Sequence, residues 1–326
     1  MKKNVLLIPP TIEQEGIDIL ESECNVYYAP DKKEETLIRC INEHNIDGIF
    51  TRIEVITRKI IESCKSLKVI IQHGSGVDNI DVNAASENGV MVLNLQEAVA
   101  NPVAEHAFAL MLDLSRNILQ ADKNIRAGNW IYREECRRYQ VELLGKNLFI
   151  IGLGSIGKRI AKKGIGFEME ASAYDPYVPN EIMKELGVQK VENLIEGMKL
   201  ADYIVIVAPM SKETNGMISK EHIKAMKKSA YIINLGRGVM IDNEALLEAL
   251  KNHEIAGAGL DVFTKTPVTL DNPFLQLNNV VLTPHLGGGS VESLSRCATI
   301  GAKTLIEALN GGKPFNIYHL QPWDEN

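Results

Sequence analysis

The sequence lacks the features that mark membrane and secreted proteins. Among its 326 residues no apolar run approaches the roughly 18 residues of a transmembrane helix, so we expect no membrane partner. It has only five cysteines, which are widely spaced, odd in number and without a C-x-x-C pair. A disulfide framework is therefore not expected, and the reducing cytoplasm is the predicted location.

Positive charge is also scarce. The chain carries 35 Lys and Arg against 42 Asp and Glu, a formal net charge of −7, and no basic tract gathers the cations into a stripe. These features disfavour nucleic acid or an anionic membrane as a partner. The sequence has no H-E-x-x-H spacing and no G-x-S-x-G turn. We therefore expect no bound metal and no serine nucleophile.

The strongest positive signal lies in residues 148–175. An apolar run, Leu148 to Ile151, leads into the hexapeptide G-L-G-S-I-G at 152–157, which is followed by a helical pattern. A second apolar segment at 171–174 then ends on Asp175. This order of strand, glycine turn, helix, strand and acid is the dinucleotide-binding fingerprint.

Each part of the hexapeptide has a physical role. Gly152 permits the tight turn, Gly154 lets backbone N–H groups approach a pyrophosphate, and Gly157 lets the helix pack closely on the strand. Ser155 and Ile156 open the helix, whose N-terminus faces the phosphates with partial positive charge. All five residues are therefore predicted to bind the cofactor.

Asp175 predicts which dinucleotide binds. It lies about 20 residues beyond the glycines, where a carboxylate accepts hydrogen bonds from a ribose 2′-hydroxyl. The same carboxylate would repel a 2′-phosphate, and no basic residue directly follows it. NAD is therefore predicted in preference to NADP.

Apolar periodicity predicts an α/β protein with two domains. The length suits two domains, each large enough to bury its own core. From residue 5 to residue 71, short apolar runs alternate with amphipathic stretches, a βαβ rhythm. Thr11 and Gln14 suggest a capping box at the first helix. Later continuous apolar runs indicate buried parallel strands at 203–207, 231–235, 259–262 and 280–282.

Three further stretches shape the predicted architecture. A long helix is expected over Val99 to Leu119, entered through Pro102 near its first turn, and the chain leaves its first domain there. The charged stretch Arg126 to Tyr139 is either a solvated surface or a subunit arm. Ser290 to Gly311 is predicted to be one helix, with a tail that returns to the first domain.

A glycine-rich loop follows the strand that ends near residue 71. Its amides around Ser75 and Gly76 suit a substrate carboxylate, because a nest of backbone N–H groups binds anions. A simple tight turn is the alternative. His73 is interpreted as a polar residue at the rim and not as a catalyst.

Two strand ends supply residues suited to 2-hydroxy acid chemistry. Arg237, between two glycines, can hold a carboxylate with a bidentate fork. His285 can donate and accept a proton near neutral pH. Because both follow strands of a nucleotide-binding sheet, we predict that Arg237 binds the carboxylate and His285 is the acid and base.

Several motifs together resemble the D-isomer-specific 2-hydroxyacid dehydrogenase family, especially its phosphoglycerate dehydrogenase and hydroxypyruvate reductase branch. Beside the fingerprint, they are G-S-G-V-D at 74–78, V-A-E-H at 103–106, N-L-G-R-G at 234–238, G-L-D-V-F at 259–263 and T-P-H-L-G-G at 283–288. The resemblance implies a central Rossmann domain at 101–289. It also implies a flavodoxin-like substrate domain built from 1–100 and 290–326, and a homodimer.

The resemblance also implies roles for individual residues. Arg237 matches the substrate-binding arginine, His285 the acid/base, and Arg52 a substrate-side arginine, while Ser75 and Gly76 match the carboxylate loop. The residues expected at the cofactor, beyond the fingerprint, are Pro209 with Thr214 of the same loop, Leu235, Asp261 and Gly288. Asp261 matches the acid near the nicotinamide carboxamide.

One position departs from the family pattern. Relatives carry a glutamate that pairs with the histidine, and Thr266 stands in its place here. Because a carboxylate raises the pKa of a neighbouring histidine, its loss should leave His285 less protonated at neutral pH. The expected activity is still interconversion of a D-2-hydroxy acid and its 2-oxo acid. The alternative is an NAD-sensing protein with little or no turnover.

Overall fold

The strands of residues 2–318 form two sheets, and within each sheet all neighbouring strands are parallel. The computed structural model describes these residues, so Met1 and 319–326, part of the predicted substrate domain, lie outside them. The chain divides into two units: residues up to Ala100 with those from Gly288 onward, and Asn101–Gly287. No helix within 2–318 is long and apolar enough to cross a bilayer.

The strands and helices are numbered in chain order. The strands are β1 Lys3–Leu7, β2 Cys24–Tyr28, β3 Gly48–Thr51, β4 Val69–Gln72, β5 Met91–Leu93, β6 Asn147–Ile151, β7 Glu170–Tyr174, β8 Gln189–Lys190, β9 Tyr203–Ile206, β10 Tyr231–Asn234, β11 Gly257–Leu260 and β12 Val280–Leu282. The helices are α1 Gln14–Glu23, α2 Glu34–His44, α3 Arg58–Glu62, α4 Val82–Glu87, α5 Gln96–Arg116, α6 Ile118–Arg126, α7 Tyr132–Cys136, α8 Ser155–Gly166, α9 Asn180–Glu185, α10 Leu194–Leu200, α11 Lys220–Ala225, α12 Asn243–Lys251 and α13 Val291–Leu309.

The first unit is built on a five-stranded sheet in the order β2-β1-β3-β4-β5, the flavodoxin-like order. Helix α13, from the far end of the chain, packs on this sheet: a Cβ at Gly301 would lie 2.5 Å from the ring of Phe50. Helix α1 packs on α13 just as closely, since a Cβ at Gly16 would lie 2.7 Å from Ala298. Both ends of the sequence therefore contribute to one domain.

The second unit is built on a seven-stranded sheet in the order β12-β11-β10-β9-β6-β7-β8. Its central strands are mostly apolar and buried, as expected when helices cover both faces of a parallel sheet. The strand order reverses between β6 and β9, the position at which doubly wound sheets bind ligands. The two sheets confirm the predicted fold class of a Rossmann domain plus a flavodoxin-like domain.

Three details of the sequence-based prediction were wrong. The capping box of Thr11 and Gln14 does not form, because α1 begins at Gln14 with Glu13 as its N-cap and no side-chain bond. Helix α5 begins at Gln96, so Pro102 lies inside it and not at its entrance. The predicted helix also breaks before Leu119, because Asn117 adopts the left-handed conformation (φ 52°), which asparagine tolerates better than most residues.

The interior proline is accommodated by a side chain from another helix. Pro102 has no N–H, so the carbonyl of Ala98, four residues earlier, loses its usual helical donor. Arg296 of α13 donates to that carbonyl at 3.0 Å. The helix therefore continues through Pro102 without leaving that buried acceptor unpaired.

Candidate functional site

The glycine turn after β6 is shaped by close backbone contacts. Gly152 has φ +95°, and a Cβ there would lie 2.7 Å from the Cα of Ala208. A Cβ at Gly157 would lie 2.1 Å from the carbonyl oxygen of Gly152. Gly154 is the N-cap of α8, which begins at Ser155. The turn thus has no side chain at Gly152, Gly154 or Gly157 and presents a helix N-terminus, which fits a pyrophosphate.

Asp175 follows β7 directly and organises the same turn. One oxygen of its carboxylate accepts the N–H of Leu153 at 2.8 Å, and the other accepts the N–H of Tyr177 at 3.0 Å. Tyr177 also donates its hydroxyl to Glu213 at 2.9 Å. The acid therefore lies beside the glycine turn with its orientation fixed, where a ribose hydroxyl can reach its remaining lone pairs. Together, the turn, the helix and the acid fit a dinucleotide.

The loop after β9 holds Pro209 and Thr214. The Thr214 hydroxyl donates to the carbonyl of Pro209 at 2.8 Å and accepts the N–H of Ser211 at 2.8 Å. Thr214 therefore closes this loop on itself. Because β9 adjoins β6, the loop lies at the carboxyl edge beside the glycine turn.

Arg237 follows β10 after Leu235 and Gly236. The side chain of Asn234, which is buried, accepts the N–H of Gly236 at 3.0 Å and donates to the carbonyl of Arg237 at 3.0 Å. At Gly238 a Cβ would lie 2.1 Å from the backbone of Phe263. The turn is thus fixed on both sides of Arg237, which is half-buried.

Asp261, directly after β11, is the hub of the loop that carries His285. Its side chain is 2% exposed and accepts the Thr283 hydroxyl at 2.6 Å. It also accepts two backbone N–H groups, from Leu286 at 2.8 Å and Gly287 at 2.9 Å. The Asp261 carbonyl accepts the N–H of His285 at 2.9 Å. Four donors from one short loop therefore converge on one residue.

His285 adopts the left-handed conformation, with φ 57°. For a residue with a side chain this costs about 1 kcal/mol, so the turn must be held by its surroundings. The turn follows β12, at the same edge of the sheet as Asp261 and Arg237. It presents an exposed imidazole.

His106 of α5 joins this network from a distant part of the sequence. Its Nε2 lies 3.0 Å from the Thr283 hydroxyl and 3.4 Å from the Asp261 carboxylate. Burial alone would raise the pKa of the Asp261 carboxyl, but hydrogen bonds from His106, Thr283 and two backbone amides hold that pKa below its usual value. The carboxylate is therefore ionised although it is buried.

The predicted carboxylate loop lies in the first unit, after β4. The carbonyl of Gly74 accepts the N–H of Leu95 at 2.7 Å, and the carbonyl of Ser75 accepts the Asn94 side chain at 2.9 Å. These two hydrogen bonds fix the backbone conformation of the loop at Ser75 and Gly76. Arg52 follows the neighbouring strand β3 at the same edge of the five-stranded sheet.

The interpretation of His73 as a rim residue was wrong. Its side chain is 3% exposed, with Nε2 only 3.5 Å from the Glu13 carboxylate. Burial and then the charge of Arg52 lower the pKa of His73, and Glu13 only partly offsets them. The side chain is interior because it packs beside the ring of Phe50 on the adjacent strand.

The second unit thus gathers most of the predicted site residues at one edge of its sheet. Those gathered are Gly152, Gly154, Ser155, Ile156, Gly157, Asp175, Pro209, Thr214, Leu235, Arg237, Asp261 and His285. Arg52, Ser75, Gly76 and Gly288 belong to the first unit. The contributions of His106 and Thr283 were not predicted. The only sequence signal was their membership of the V-A-E-H and T-P-H-L-G-G motifs.

Comparisons with known proteins identify similar sequences and structures. Residues 108–287 match the model of the D-isomer specific 2-hydroxyacid dehydrogenase, NAD binding domain. A D-3-phosphoglycerate dehydrogenase of Methanocaldococcus jannaschii is 39% identical over 97% of this chain, which spans 59% of that relative's length. A glyoxylate reductase of Pyrococcus furiosus is 35% identical over 96% of this chain and 94% of its own.

A solved structure with a similar fold is an acyclic imino acid reductase in complex with NADPH and D-Arg. It shares 31% identity with a TM-score of 0.87, over 97% of this chain and all of that one. The family model covers more than half of the chain, and the glyoxylate reductase matches nearly end to end. The chain therefore belongs to the D-isomer-specific 2-hydroxyacid dehydrogenases, a family of NAD(P)-dependent oxidoreductases, and carries their NAD-binding domain.

Proposed function

We propose that this protein interconverts a D-2-hydroxy acid and its 2-oxo acid with NAD, acting on a substrate of the hydroxypyruvate, glyoxylate or phosphoglycerate type. The observation that carries the proposal is the placement of Arg237, Asp261 and His285 after three adjacent strands of the NAD-binding sheet. Parallel strands deliver their carboxyl-terminal loops to one edge. That edge brings a cation, an acid and an imidazole to the end of the sheet that also carries the glycine turn.

The two catalytic side chains have complementary tasks in this proposal. The bound nicotinamide supplies or accepts the hydride at the substrate's C2. Arg237 holds the substrate carboxylate through a bidentate fork, which fixes both the charge and the orientation of C2. In reduction, His285 as the imidazolium donates its proton to the oxygen on C2, and in oxidation the neutral imidazole takes that proton back.

Residues of the first unit are proposed to bind the substrate as well. The amides at Ser75 and Gly76 suit the carboxylate, because backbone N–H groups bind anions without a charged side chain. Arg52, at the end of the neighbouring strand, would add positive charge on the substrate side. Gly288 is proposed to line the cofactor together with Pro209.

A substrate panel tests the proposed function. NADH oxidation is measured with hydroxypyruvate, glyoxylate, phosphohydroxypyruvate and branched 2-oxo acids, and then repeated with NADPH. We expect turnover with at least one 2-oxo acid. Tight NADH binding without turnover on any of them would contradict the proposal and favour the NAD-sensing alternative, which the threonine at position 266 motivates.

Replacing Thr266 with glutamate is expected to move the pH dependence of reduction. A carboxylate beside the imidazole favours its protonated form. The rate of reduction in Thr266→Glu should therefore persist to higher pH, by about one pH unit. Thr266 is exposed, so the fold should tolerate the change. The measurement is the pH profile of kcat, with Thr266→Gln as the uncharged control, and coincident profiles for all three proteins would contradict it.

Replacing Asp175 with asparagine is expected to relax the cofactor preference. Asparagine keeps one oxygen for the N–H of Leu153 and removes the charge that opposes a 2′-phosphate. The ratio of kcat/KM for NADPH over NADH should rise at least about tenfold, equivalent to ~1.4 kcal/mol. NADPH is included as a cofactor because the similar imino acid reductase was solved in complex with it. An unchanged ratio would show that this carboxylate does not select the cofactor.

We also propose that the chain forms a homodimer through an arm surface, defined as residues 118–144. Helix α6, within this surface, has no buried residue. Ile131 is 74% exposed and Trp130 is 69% exposed. The other large apolar side chains exposed there are Ile118, Leu119, Ile125, Tyr139 and Leu144. Apolar exposure on this scale is typical of a surface that another protein covers.

Mutation of the arm surface is expected to separate the dimer. The native chain should have twice the monomer mass of 36.1 kDa in sedimentation or light-scattering measurements. Ile131→Glu places a charge in the apolar surface and should yield the monomer. Leu270→Glu is the matched control, because Leu270 is 92% exposed and lies outside the arm. A monomeric native protein, or a dimeric Ile131→Glu variant, would contradict the proposal.

The reducing cytoplasm remains the proposed location. All five cysteines are free and buried, which suits a compartment that keeps thiols reduced.

A further inference from the structure

We propose that Asp261, Thr283 and His106 form a positioning network that holds His285 in its working orientation. The inference rests on the proposed function, since it assigns these residues a role behind the proton donor. It differs from the expectation that Asp261 acts through the nicotinamide. In this proposal the carboxylate serves mainly the turn that carries His285.

The hydrogen bonds show how the turn is built. Donors from Thr283, His285 and the next two residues all reach Asp261, so the turn wraps around its side chain and carbonyl. A Cβ at Gly287 would lie 3.1 Å from the same carboxylate, which leaves little room for the turn to shift. His285 sits in the middle of the wrapped segment. The direction of its imidazole therefore depends on the placement of Asp261.

The left-handed backbone of His285 makes this support necessary. A residue with a side chain pays a steric cost at φ 57°, and the turn would relax to another conformation without fixed partners. Asp261 is fixed in its turn by β11 and by its own N–H, which donates to the Asn234 carbonyl at 3.1 Å. Strands β10 and β11 thus fix the position of Asp261, and Asp261 fixes the turn that carries His285.

The proton positions give His106 and Thr283 distinct tasks. The Thr283 hydroxyl has one proton, and at 2.6 Å it donates that proton to the ionised carboxylate. The same oxygen must then accept from His106, whose Nε2 lies 3.0 Å away. This pairing requires the tautomer of His106 that has its proton on Nε2. His106 fixes the rotation of the hydroxyl, and the hydroxyl fixes the carboxylate. A network of this kind stays rigid only while every member is paired.

Variants at Thr283 separate positioning from direct contact with the cofactor. Thr283→Val keeps the side-chain shape and removes both hydrogen bonds, while Thr283→Ser keeps the hydroxyl. We expect Thr283→Val to lower kcat about ten- to hundredfold, the loss that follows a small misplacement of a reacting group. KM for the 2-oxo acid and Kd for NADH should change less than about threefold. Thr283→Ser should restore most of kcat.

A second readout does not depend on activity. The seven histidines are labelled at Cε1, and the NMR signal of His285 is assigned by its loss in His285→Asn. Thr283→Val and His106→Leu should both shift or broaden that signal, and His106→Gln, which retains a donor, should shift it less. If Thr283→Val does not fold, the positioning role is tested by comparing the His285 signal in His106→Leu and His106→Gln.

The possible outcomes are distinct. A native protein without turnover would overturn the proposed function, while the NMR signal would still decide the positioning role. An unchanged His285 signal in both Thr283→Val and His106→Leu would overturn the positioning role. So would a loss of NADH affinity in Thr283→Val as large as the loss of kcat, because it would indicate direct contact with the cofactor.

Discussion

Replacing His285 with asparagine is expected to lower kcat about a thousandfold, since a positioned general acid contributes on the order of 10²–10⁴. Asparagine tolerates positive φ, so the turn around Asp261 should persist. NADH should bind with nearly native affinity, because the glycine turn and Asp175 are untouched. The measurement combines steady-state kcat with NADH binding by fluorescence.

The chain offers a matched control for this change. His253 is also a left-handed histidine, with φ 52°, and it is exposed on the turn after α12. His253→Asn should therefore leave kcat and stability unchanged. Equal losses in the two variants would mean that replacing a left-handed histidine damages the fold. Native kcat in His285→Asn would remove His285 from the mechanism.

Replacing Arg237 with methionine is expected to lower kcat/KM for the 2-oxo acid about a thousandfold, equivalent to ~4 kcal/mol. Two charge-assisted hydrogen bonds to the substrate carboxylate are lost, and methionine retains only the apolar stem. The turn itself should survive, because Asn234 braces its backbone and Gly238 packs on the backbone of Phe263. Steady-state kinetics provide the measurement, with thermal unfolding to check the fold.

A lysine at the same position separates charge from geometry. Arg237→Lys keeps a positive charge but loses the planar fork, so we expect a loss intermediate between the native protein and Arg237→Met. Equal activity of native and lysine variants would mean that charge alone holds the carboxylate. Native kcat/KM in Arg237→Met would contradict a role in substrate binding altogether.

Sequence patterns predicted the Rossmann half of the fold because its signals are local. The glycine turn at 152–157 has backbone requirements that only its own residues can meet, and Asp175 follows at a fixed spacing. A strand such as β9 is buried on both faces and is therefore a continuous apolar run. Strand β8 was not predicted, because Gln189–Lys190 is only two residues long and both are polar. Strand β5 of the other sheet, Met91–Leu93, was not predicted either.

The missed features depend on residues that are distant in sequence. His106 and Thr283 are separated by 177 positions and meet only in the folded sheet. His73 was misjudged because its surroundings include Glu13 of another element, not its own loop. Pro102 was placed at a helix start because the sequence gives no sign that Arg296 would pair the carbonyl of Ala98. In each case the sequence identified the residue but not the distant residue that it contacts in the folded protein.

The position of α13 has a consequence for how the chain is made. The face of the five-stranded sheet that contacts Gly301 and Leu305 stays uncovered until α13 leaves the ribosome. About 200 residues separate Ala100 from Leu309, so at about 5–20 residues per second that face waits roughly 10 to 40 s. The contiguous unit Asn101–Gly287 can fold during this interval. Nascent chains should therefore be most exposed to aggregation, and most dependent on chaperones, through their first hundred residues.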